Sequence, residues 1–128
     1  VAREGAADLV VVKVAPLGGV DAALRIVAEC GLPAVVSSAL DTSVGIAAGV
    51  ALAAALPELD HACGLGTVGL LAADVAEHPL VPVNGRITVA DARAVVSAAE
   101  QPGLAGHELT GERRAWWLQR LTRCHALL

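Results

Sequence analysis

Three short apolar runs alternate with turn residues and helix-length stretches, and this alternation limits the fold more than any other feature of the chain. The runs are LVVVKV at residues 9–14, PAVVS at 33–37 and HACGL at 61–65. In the first, valines follow one another without alternating with polar residues, which predicts a strand buried on both faces. Pro16, Gly18 and Gly19 turn the chain. Residues 20–30 then predict a helix, with Val20, Ala23, Leu24 and Val27 at helical spacing, Asp21 in the first turn and Gly31 as the stop. After the second run, Asp41, Thr42 or Ser43 is placed to cap a helix over 44–56. Strand–helix–strand–helix–strand with short turns means parallel strands and right-handed crossovers. Three such strands with helices this apolar do not close a core alone, and the edge of 9–14 needs a neighbour.

The pattern changes beyond the third run. Residues 68–75 predict a brief helical segment, and Asn84-Gly85 between 80–83 and 86–89 predicts a hairpin. A helix over 90–100, a Pro/Gly loop over 101–106 and an amphipathic tail helix over 111–124 complete the chain. At 128 residues it is one ordinary domain or a piece of a larger one. Its first residue is Val1, directly before a buried strand, which suggests an unusual start codon or a beginning inside a longer protein. The core must be built from small contacts, because there is no Phe, Tyr or Met and the aromatics are Trp116 and Trp117 alone.

Gly45 and Gly49, one turn apart, leave one face of the second helix smooth enough for another backbone to approach. The longest apolar stretch, 44–56, is too short to cross a bilayer, and no signal peptide is visible, so a cytoplasmic location is expected with no membrane partner. A net charge of −4 argues against a nucleic-acid partner. Cys30, Cys63 and Cys124 are odd in number and lack a CxxC spacing, so they read as buried or free thiols and not as a zinc site.

Lys13 is the only lysine; the other eight basic residues are arginine. Arginine keeps its charge, whereas a desolvated lysine can exchange a proton. A strand-end lysine can simply reach solvent. The turns nearby favour another reading, because ligands of parallel α/β folds sit at the carboxyl ends of the strands. There Lys13 offers a cation, Ser37 and Ser38 offer hydroxyls and N–H groups before a helix, and Gly64 and Gly66 admit a ligand close to the backbone. Asp41 reads as a cap in preference to a ligand. GLGT lacks the spacing of a phosphate loop, and no GxSxG is present.

The segments VVVKVAPLGG, GLPAVVSSALDTSVGIAAGVALAAALPEL, HACGLGT and PLVPVNGRITV resemble the C-terminal part of the actinobacterial-type o-succinylbenzoate synthases, within the enolase superfamily. The resemblance is close over residues 7–89 and looser over the tail with Trp116 and Trp117. It implies an α/β fold in which 1–79 is the C-terminal βαβαβ portion of a modified (β/α) barrel, its sixth, seventh and eighth strands. Residues 80–128 would then be a hairpin and helices like capping-domain and tail segments. The family dehydrates a succinyl-hydroxycyclohexadiene carboxylate on the route to menaquinone. In it, magnesium held by three acidic residues stabilises an enediolate, and a lysine of a KxK motif serves as base and then acid. By resemblance Lys13 is the catalytic lysine opposite, steadying the anionic intermediate, while Ser37 and Ser38 match the loop that contacts the substrate carboxylate and Gly64 matches the substrate-binding turn of the eighth strand.

The departures are equally specific. The chain has no KxK, and the strands that carry the metal ligands in the family have no counterpart in it; Asp8, at the amino end of its strand, cannot substitute. The expectation is a fragment of a magnesium-dependent lyase, inactive alone and without Mg2+, whose partners are a small carboxylate substrate and the missing N-terminal half of the barrel. N-acylamino acid racemases and dipeptide epimerases share the barrel and are the alternative within the superfamily. A non-catalytic α/β binding module is the alternative outside it.

Overall fold

The computed structural model describes residues 2–99 and 106–127. Among these residues it is an α/β structure with two paired parallel strands and four α-helices. Strand β1 (Val10–Val12) pairs with β2 (Ala34–Val36) in the register Val10–Ala34, Val11–Val35, Val12–Val36. The crossover between them is α1 (Val20–Cys30), at the bounds read from the sequence. Its entry is set by Gly18 and Gly19, whose φ values of 86° and 120° disfavour any residue with a Cβ. The turn closes through Gly19 N–H to Val14 O (3.1 Å), and the helix ends where Gly31 N–H donates to Val27 O (3.1 Å).

Helix α2 (Ser43–Ala55) is apolar around its whole circumference because it is covered on several sides, by α1, β2 and α3 (Val89–Ala99). Ile46, Ala47, Val50 and Leu52 join Val12, Ala23, Ala34 and Val36 in one core, to which Leu65, Val68, Leu80 and Ala92 are added from later in the chain. These are small side chains packed in close layers, the arrangement a chain without Phe, Tyr or Met requires.

Several expectations are corrected. Strand β1 is not buried on both faces: Val12 packs toward the helices, but Val11 is 58% exposed, because the described residues cover one face of the sheet only. The third run forms a single parallel bridge, Ser37 with Gly64, instead of a strand over 61–65. The helical segment is one 3-10 turn, Thr67–Leu70, and does not reach Val75. The Asn84-Gly85 turn forms, with φ values of 50° and 74°, yet the hairpin is limited to the Val83–Arg86 bridge, and Val89 already begins α3.

The smooth face of α2 receives a side chain, not a backbone: a Cβ on Gly49 would lie 2.6 Å from Leu65 Cδ2. No side chain of residues 41–43 caps α2 either. Thr42 makes no capping bond, and Asp41 Oδ2 accepts from Ala39 N–H (2.9 Å) instead. The tail helix α4 (Gly111–His125) has no buried residue; Trp116 and Trp117 meet edge to face at 4.8 Å, with Arg120 over Trp116. Residues 100–105, with most of the Pro/Gly loop, lie outside the described residues.

Candidate functional site

Strand parity and register build the site. Val12 and Val36 point into the core, so Lys13 and Ser37, one residue on, turn to the opposite face, the side of Val11. The register places position 13 beside position 37, and Ser37 N–H donates to Val12 O (2.9 Å) to carry the pairing that far. Lys13 Nζ consequently donates to Ser37 Oγ (3.1 Å) and to the carbonyl oxygen of Ser38. The ammonium is half-buried at the carboxyl ends of both strands instead of extending into water.

The third run docks beside it. Gly64 N–H donates to Val36 O (2.8 Å), and Gly64 O accepts from Ser38 N–H (2.9 Å). The Ser38 hydroxyl donates to the same Gly64 oxygen (2.9 Å). Space is tight at 64: a Cβ there would sit 3.1 Å from Ser37 Oγ, the group that receives the Lys13 ammonium, and would push it aside. Thus Lys13, Ser37, Ser38 and Gly64 form one connected cluster. Thr67 completes it, donating from Oγ1 to Ser38 Oγ (2.8 Å). Sequence reasoning placed Thr67 in the converging turn but assigned it no role; the available signal was a hydroxyl directly after Gly-Leu-Gly.

A second polar node was missed entirely. Ser43, fully buried at the start of α2, donates its N–H to Asp74 Oδ1 (3.0 Å) and its hydroxyl to Asp74 Oδ2, and its Oγ accepts from Leu80 N–H (2.7 Å). Burial would raise the Asp74 carboxyl, but the bonds from Ser43, Val75 and Ala76 outweigh it and hold the group below its ordinary 3.8. Asp74 therefore caps α2 from 31 residues away.

Among the described residues, no three His, Cys, Asp or Glu side chains come together as a metal centre. Cys30, Cys63 and Cys124 are free thiols. A large groove of about 1050 Å³ lies elsewhere, between the hairpin and α3, lined by His78, Val81, Arg86, Ile87 and Val95 among others. Lys13 and its partners are not among its lining residues.

A family model described as enolase C-terminal domain-like matches residues 1–109. The chain belongs to that family. It is 54% identical over all 128 residues to o-succinylbenzoate synthases of Mycobacterium bovis and Mycobacterium tuberculosis, and 53% identical to that of Mycobacterium marinum. These relatives bear out the family resemblance read from the sequence. All of this chain is covered, but it spans only 37% of the length of each of these relatives. Among the described residues no helix is long and apolar enough to cross a membrane.

Proposed function

We propose that the chain is the C-terminal portion of an o-succinylbenzoate synthase, supplying one cationic wall of an active site that residues outside it complete. In this reading β1, β2 and the Gly64 bridge are the sixth, seventh and eighth strands of a modified (β/α) barrel, and residues 80–128 return toward a capping domain. The observation that carries it is Lys13, the only lysine, held by Ser37 and Ser38 at the strand ends. The carboxylate substrate loses a proton next to its carboxyl group, and a fixed ammonium facing the resulting enediolate lowers the cost of its charge. Ser37, Ser38 and Gly64 shape the carboxylate end of that site. Magnesium is the metal of the complete enzyme, and its ligands come from outside the described residues, which bring no three His, Cys, Asp or Glu side chains together. The N-terminal half of the barrel is the implied partner, and the cytoplasm the implied location.

The test joins this chain to the preceding barrel segment of a mycobacterial relative and follows dehydration to the aromatic acid by ultraviolet absorbance. Turnover is expected, and Lys13→Ala should reduce it on the order of 10²–10³-fold, the usual loss for one group that stabilises a developing anion. Proton exchange on N-acyl amino acids without dehydration would instead assign the racemase branch of the superfamily.

A further inference from the structure

We infer that Thr67 is a positioning residue for Lys13, acting through the hydroxyl and peptide of Ser38. The bond pattern has a direction. Thr67 Oγ1 donates to Ser38 Oγ (2.8 Å), so the single Ser38 hydroxyl proton is free to go elsewhere, and it goes to Gly64 O (2.9 Å). Gly64 O also receives Ser38 N–H (2.9 Å), so Ser38 is held to one carbonyl by two bonds, one from its backbone and one from its hydroxyl. Its own carbonyl then faces the Lys13 ammonium. Ser38 is 4% exposed and cannot exchange these partners for bulk water. Without the Thr67 proton, the Ser38 hydroxyl keeps only its bond to Gly64 O and is left with an unfilled acceptor site. The peptide that receives Lys13 loses one of its restraints.

Thr67 opens the 3-10 turn Thr67–Leu70, whose Val68 is buried in the core, so its hydroxyl is presented from a fixed backbone. The arrangement constrains the ammonium from the Gly64–Thr67 segment as well as from the end of β2. Its consequence for turnover rests on the function proposed above; its consequence for the lysine side chain does not.

The test reads Lys13 directly. The chain, joined to the preceding barrel segment as above, is treated with a small acetylating ester, and modification is measured by mass spectrometry on the peptide containing Lys13, in native buffer and in urea. In native buffer the wild-type amine should react more slowly than in urea. Thr67→Val, which keeps the shape and removes the hydroxyl, should raise the native rate roughly three- to tenfold, the range of one hydrogen bond. Thr67→Ser should restore the wild-type rate. Alkylation of Cys30, at the far end of α1, reports general opening and should be the same in all three proteins.

Equal Lys13 rates in wild type and Thr67→Val, a native rate equal to that in urea, failure of Thr67→Ser to rescue, or a parallel rise at Cys30 would each overturn the inference. In the completed enzyme, Thr67→Val should lower kcat with little change in KM. If the acetylation result holds while the completed enzyme does not dehydrate its substrate, the positioning stands and the functional reading fails.

Discussion

At the scale of the residue, the decisive contrast is between Lys13 as a structural donor and as a chemical one. Its bonds go to a hydroxyl and a peptide carbonyl, not to a carboxylate. A neutral frame orients the ammonium and leaves its charge available to an incoming anion. Lys13→Met keeps the apolar stem and should shift the thermal midpoint of the completed enzyme little, the expected effect being within about 1 kcal/mol, while turnover falls on the order of 10²–10³-fold. A large fall in midpoint would make the residue structural. Gly64→Ala separates the frame from the cation: the new methyl, 3.1 Å from Ser37 Oγ, forces that hydroxyl to give way. The expected result is raised KM for the carboxylate with helix content unchanged by circular dichroism. Of this cluster, Lys13, Ser37, Ser38 and Gly64 were legible because strand ends and glycines announce themselves in sequence. Thr67 was not, because its partner lies 29 residues away and only the fold supplies the distance.

At the scale of the element, the helices were legible where local signals act alone and obscure where tertiary bonds substitute for them. Helix α1 starts after Gly18-Gly19 and stops at Gly31, all within its own sequence. Helix α2 has three capping candidates beside it, and its first N–H goes past all of them to Asp74. The third run has too few β-branched residues to act as a full strand, and the Ser37–Gly64 bridge is what tertiary pairing retains. The Asp74 node should then dominate the stability of α2. Ser43→Ala removes a donor to Asp74 and the acceptor of Leu80 N–H inside the core, and should cost roughly 2 kcal/mol in denaturant unfolding of the completed enzyme. Because the folded carboxyl lies below 3.8, its contribution is fully present above that pH and is lost as pH falls through the lowered value. Asp74→Asn should lower stability at pH 7 and abolish that part of the acid dependence. An unchanged difference between pH 7 and pH 3 would remove Asp74 from this role.

At the scale of the whole molecule, one face of the sheet is sealed and the other carries both the site and uncovered apolar surface. Val11 shares that face with Lys13, and Leu9 beside it is also exposed. Edge strands with apolar exposure invite pairing with other chains. The chain alone should therefore associate on size-exclusion chromatography and melt without a sharp transition. A sharp-melting monomer would favour the self-contained binding module. Val11→Thr distinguishes the two situations at one position. If the face is open, as in the chain alone, the substitution should change stability by less than about 0.5 kcal/mol and reduce association. If residues outside the chain cover that face in the completed enzyme, the same substitution buries a hydroxyl in place of a methyl, and should destabilise by roughly 1–3 kcal/mol. Equal, small effects in both would mean that nothing packs over β1 on the side of Lys13. The ammonium would then face open water, where a fixed charge stabilises an enediolate far less.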